Sequence, residues 1–250
     1  MKNGYFVALS VGLSMVAIPA SAAVPRVGDL SFVAINASED GFALASFVDL
    51  VAGTQLFVTD KSWNGSALGA GGAFDSGEGV LSWTLSSALS AGSVVRFSAV
   101  DSAANVAVSD GTVSRSGSFS LAQTNESVML YRDDGVGGVL PLAALGYGTS
   151  FASEIAGSGL EAKATALGGT VKFAEYTGDR SSAGGFGGYA ESVGDPSQWA
   201  KLSSGDVSLM APNLTAFTVM APVPEPETYA MLLAGLGVVS AVARRRKHVG

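Results

Sequence analysis

The sequence predicts an all-β fold: a β-sandwich body of short antiparallel strands at residues 23–221, with an N-terminal signal helix before it and a single C-terminal transmembrane helix after it. Three observations carry this reading. Short β-favouring apolar segments recur along the body. Turn pairs such as Asn64-Gly65, Ala91-Gly92, Asp110-Gly111 and Asp134-Gly135 separate them. No stretch sustains a helical period except residues 153–167, a weak helix or loop. Regularly spaced strands without intervening helices favour a sandwich, with barrel closure as the alternative.

In chain order, residues 1–22 form the first unit. Lys2 opens it, an apolar run from Tyr5 to about Ile18 follows, and Ala20-Ser21-Ala22 closes it with small residues before Ala23. A positive start, a short apolar segment and a small-residue box make a cleaved secretory signal, with Ala20, Ala22 and Ala23 marking the cut.

The body then supplies apolar runs in "FALASFVDL", "AGTQLFVT", "VLSWTL", "SVVRFSAV", "SVMLYR", "VLPLAALGYG" and "TVKFAEY". The glycine-rich stretch at residues 181–199 has neither the register nor the following Lys-Ser/Thr of a phosphate cradle, so a mobile surface loop is expected there.

The last unit is residues 222–250. Pro224, Glu225 and Pro226 precede an apolar run at 229–243, and Arg244, Arg245, Arg246 and Lys247 follow. Each proline fixes φ and removes an amide donor, so the approach is extended. A helix of the run's length spans roughly 22 Å, short of the roughly 30 Å hydrocarbon core unless flanking residues extend it. The basic cluster would remain cytoplasmic and leave the body outside.

Composition narrows the chemistry. The chain has no cysteine, which excludes disulfides, thiolate nucleophiles and Cys-ligated metal. Its single histidine, His248, lies in the basic tail, so the body has no imidazole base or ligand. Between Ala23 and Ala221 stand nine basic and nineteen acidic residues, which argues against nucleic-acid binding. Neither cofactor nor metal is expected. Asp133-Asp134-Gly135 and Asp75-Ser76-Gly77-Glu78 place oxygen ligands in turns, but without the spacing of a twelve-residue calcium loop.

An enzyme of this composition would need paired carboxylates or a Ser-Lys pair. The carboxylates in aromatic or glycine-rich context are Asp60, Asp75, Glu78, Asp133, Asp134, Glu175 and Asp179, with nothing in the sequence to align an acid with a base. Trp63, Trp83 and Trp199 read first as packing residues, and Trp63 and Trp199 as candidate glycan contacts. Asn36, Asn64, Asn125 and Asn213 head Asn-x-Ser/Thr triplets.

The C-terminal arrangement resembles the PEP-CTERM sorting signal of exopolysaccharide-producing Gram-negative bacteria. The resemblance implies an exosortase substrate: Pro224, Glu225 and Pro226 as recognition motif, 229–243 as transient inner-membrane helix, and the Arg244 to Lys247 cluster as stop. It also implies Sec-type export and a final location at the cell surface or in the extracellular matrix. Residues 28–97 further resemble a β module of bacterial secreted proteins that carries no transferable catalytic residue. The expectation is a non-enzymatic surface or matrix protein. A carbohydrate module binding exopolysaccharide is the alternative, and a carboxylate-dependent hydrolase the third reading.

Overall fold

The structure, a computed structural model, describes residues 24–182, 184–220, 231, 233–236 and 238. The first half of the body contributes β1 (Leu30–Asn36), β2 (Gly41–Ser46), β3 (Gln55–Thr59), β4 (Gly79–Thr84), β5 (Val94–Ser98), β6 (Ala107–Val108) and β7 (Thr112–Gly117). The second half contributes β8 (Glu126–Asp133), β9 (Val139–Tyr147), α1 (Phe151–Glu154), β10 (Thr165–Ala166), β11 (Phe173–Tyr176), β12 (Ser181–Ser182), α2 (Tyr189–Gly194), β13 (Trp199–Leu202) and β14 (Thr218–Val219).

These strands form the expected sandwich. One sheet has the order β13-β11-β1-β2-β5-β6 and the other β10-β9-β8-β3-β4-β7. Alternation is cleanest in β4, where Leu81 and Trp83 turn inward. Between the sheets, Phe42 stacks on Phe97 at 4.6 Å between ring centres, and Trp83 meets Phe97 edge-on at 5.2 Å.

β1 and β2 are buried on both faces, so their sequences read as near-continuous apolar runs. A bulge between Phe32 and Ala34 keeps Phe32 and Ile35 on the same side of the sheet. The outer face of this sheet is crossed by the segment after β13, described below. The outer face of the second sheet is covered by a smaller cluster in which Trp63, Phe151, Ile155 and Leu160 pack on Met129 and Ala144.

Two expectations need correction, and a third is settled between its alternatives. The strands are not all antiparallel: β10 pairs with β9, and β12 with β14, in parallel, because each short strand arrives by a longer crossover. Of the two readings of residues 153–167, the loop is the one found: only 153 and 154 belong to the single turn of α1, and turns and bends follow where Gly157 and Gly159 interrupt the run. The glycine-rich residues 181–199 carry α2 and two 3-10 turns instead of a bare loop: Tyr189 and Val193 bury themselves, and the Asp195 carboxylate caps the second turn through Ser197 N.

The signal residues and most of 229–243 lie outside the described residues. Residues 231, 233–236 and 238 are helical, with Met231, Leu233, Leu236 and Val238 exposed. Among the described residues, no helix is long and apolar enough to cross a membrane.

Candidate functional site

Strand register gives the sandwich two ends. The Asn36–Gly41, Gly79–Gly117 and Glu126–Tyr147 pairs lie at one end, and the Thr84–Thr112, Asp133–Val139 and Tyr176–Trp199 pairs at the other. After β13 reaches the first end, residues 203–217 return along the outer face of the first sheet as a strap.

Side chains of the sheet hold this strap in sequence. Asn36 Nδ2 donates to the Val207 and Met210 carbonyls at 2.9 and 3.0 Å. Glu175 accepts Asn213 N at 3.0 Å, and Arg180 Nη1 donates to the Thr215 carbonyl at 2.6 Å. These bonds satisfy strap groups that have no ladder of their own.

The strap ends in an aromatic latch. Phe217 is buried among Phe47, Tyr176 and Tyr189, with ring centres 5.3, 5.8 and 4.9 Å away. Arg180 Cζ lies 4.7 Å from the Phe217 ring centre, a cation-π contact. Phe217 N donates to the Gly92 carbonyl at 2.8 Å, and Tyr189 Oη donates to the Thr218 carbonyl at 2.6 Å. Gly92 has φ +88, and a Cβ there would collide with the Phe217 carbonyl, so this turn position accepts glycine alone without strain. Val219 pairs with Ser182. The residues of the expected recognition motif, Pro224, Glu225 and Pro226, and the basic cluster Arg244, Arg245, Arg246 and Lys247 lie outside the described residues, as do Ala20, Ala22 and Ala23.

The opposite end is closed by a plug, residues 118–123. Phe119 and Leu121 insert into the core, and three successive amides meet three different carboxylates. Ser120 N donates to Asp60 Oδ2 at 2.9 Å, Leu121 N to Asp40 Oδ1 at 2.6 Å, and Ala122 N to Glu126 Oε2 at 2.6 Å. Asp60 Oδ1 also accepts Gly79 N, and Glu126 Oε1 accepts Ser127 N. Tyr147 Oη donates to the Ala122 carbonyl, and Arg115 Nη2 to that of Phe119.

Beside the plug opens a polar cleft of about 160 Å³, lined by Asp60, Glu78, Glu126 and Glu154 among others. Asp60 and Glu126 are 4% and 7% exposed, and their charge is poorly solvated. Burial pushes Glu126 up to about 8, against the pull of its two backbone donors, with Asp60 and Glu78 adding repulsion. Burial likewise raises Asp40, Asp60 and Glu78. Tyr147 is raised by burial and by the nearby carboxylates Glu126 and Asp40. The described non-glycine residues with positive φ, namely Asp40, Glu78, Ala99 and Asn125, all lie at this end.

Of the seven carboxylates singled out in the sequence, the fold brings Asp60 and Glu78 together; Asp75 adds charge near Glu78. Asp133 and Asp134 sit in the β8–β9 turn, where they accept the amides of Gly135, Val136 and Gly138. Glu175 holds the strap, and Asp179 accepts Ser181 N. Among the described residues, no three His, Cys, Asp or Glu side chains are arranged to hold a metal ion. Sequence reasoning missed Asp40, Glu126 and Glu154, which come from a turn, the start of β8 and the end of α1.

Trp63 and Trp199 are only 3% and 9% exposed. Their Nε1 groups donate to the Ser66 and Val193 carbonyls at 2.7 and 2.8 Å. Neither offers a free ring face to a glycan, so their burial gives that expectation no support. Among the triplet asparagines, Asn36 is 2% exposed and committed to the strap, whereas Asn64, Asn125 and Asn213 are exposed.

No curated protein and no solved structure matches the chain. Residues 222–247, which begin three residues after β14, match the family described as PEP-CTERM protein-sorting motif. The chain that continues from the latched end of this sandwich therefore carries a PEP-CTERM protein-sorting motif.

Proposed function

We propose that this chain is exported through Sec-type machinery, held briefly in the inner membrane by residues 229–243, and processed by exosortase. Its sandwich then serves at the cell surface or in the extracellular matrix as a structural component without catalysis. The observation that carries this reading is the sorting motif at 222–247, which implies export and exosortase as the processing partner. The latched strap fits it, because the folded body is complete before the motif begins.

The non-catalytic part draws support from the acidic cleft. Both oxygens of Glu126 and both of Asp60 are engaged by backbone amides, so the two most buried carboxylates of the cleft are spent on closing the fold. A general acid or nucleophile needs an oxygen free to face its substrate.

The test is cell fractionation with and without exosortase. The expected result is full-length protein accumulating in the membrane fraction when exosortase is absent, or when Pro224, Glu225 and Pro226 are all replaced by alanine. Unchanged release in both cases would overturn the reading.

A further inference from the structure

The latch fixes how many residues separate the folded body from its sorting motif. The last described backbone pair is Ser182 with Val219, and Pro224 follows five residues later. Five residues span at most about 18 Å in any conformation. An enzyme gripping residues 223–226 therefore works almost against the end of the sandwich that carries Gly92, Arg180 and Phe186. The strap can lengthen the tether only if Phe217 leaves its nest, which also breaks the Gly92, Arg180 and Tyr189 contacts.

We propose that the Phe217 latch governs access to the sorting motif, keeping the processing enzyme crowded by the folded body until the strap opens. This rests on the sorting reading above. Cleavage then samples the opened strap, and its rate follows the population of that state. Freed as far back as the Asn36 contacts, the strap adds about nine residues, Lys-free and Arg-free, between body and motif. Exposed Leu209, Met210 and Leu214 show that its outward side takes little part in holding it.

The experiment uses the full chain in two arms. In cells with exosortase, pulse labelling follows conversion of wild type, of a chain with eight Gly/Ser residues inserted between Met220 and Ala221, and of Phe217→Ala. The spacer leaves the latch intact and so guards against a folding defect in Phe217→Ala. In the second arm, a glutamate-specific protease acts on the detergent-solubilised full chain, and cutting after Glu225 and Glu227 is timed without exosortase. The expected result is conversion at least about tenfold faster for the spacer in both arms, with Phe217→Ala following it. A spacer chain cut no faster than wild type by the soluble protease would overturn the latch proposal. Conversion in cells that persists without exosortase would instead overturn the sorting reading, leaving the protease arm to decide the latch.

Discussion

The two ends of the sandwich are closed by opposite chemistries. At the latch end, Phe47, Tyr176, Tyr189 and Phe217 close the fold with ring contacts and one guanidinium over a ring. At the plug end, Asp40, Asp60 and Glu126 close it with carboxylates on consecutive amides. Apolar burial contributes without regard to charge state, whereas a buried carboxylate contributes according to its proton. The sorting motif follows from the end closed by ring burial. The end that responds to pH also carries the described non-glycine residues with positive φ.

The largest expected effect is at the latch. Phe217→Ala removes a fully buried ring and should cost about 3–5 kcal/mol. Denaturant unfolding would measure it, and hydrogen exchange should show the 217 and 218 amides losing protection before those of β1. Equal loss at both ends would break the distinction between them.

Next comes the pH response of the plug. Folded Glu126 keeps its proton up to about 8, against an ordinary value of 4.5, so between those values the folded state binds more protons than the unfolded one. Stability is therefore fullest below about pH 4.5, as far as this group is concerned, and falls as pH rises toward 8. Raised Asp40 and Asp60 act in the same direction from their own lower range. Thermal unfolding should show a loss of about 2–4 kcal/mol across that window, and Glu126→Gln should flatten it. A wild-type profile rising from pH 5 to 8 would contradict the account.

Asp60→Asn is a milder probe of the plug. It leaves either Gly79 N or Ser120 N without its acceptor, at a cost of about 1–3 kcal/mol by denaturant titration. Smallest of all, Arg180→Gln removes the cation-π contact and the bond to the Thr215 carbonyl, for about 1 kcal/mol, with little change at residues 120–122.

Much of the sandwich was legible in the sequence because its central strands are apolar and punctuated by glycine turns. β3, β4, β5, β8 and β9 all fall in runs read as strands. β7 was not, since "TVSRSG" is an edge strand whose outward positions are polar. The strap was invisible for a different reason: residues 203–217 have no period of their own, and their conformation is set by Asn36, Glu175 and Arg180 from distant strands. The plug carboxylates show the same limit, because residues 40, 60, 78 and 126 meet only through strand pairing. The sorting motif, by contrast, is a contiguous pattern and was recognisable from residue order alone.

The most direct test of the central claim, that residues 222–247 send this sandwich through a sorting enzyme, is the intact mass of the protein recovered outside the inner membrane. The account predicts a chain lacking residues 1–22 and lacking Arg244, Arg245, Arg246 and Lys247. An exported chain whose mass still includes that basic cluster would contradict it.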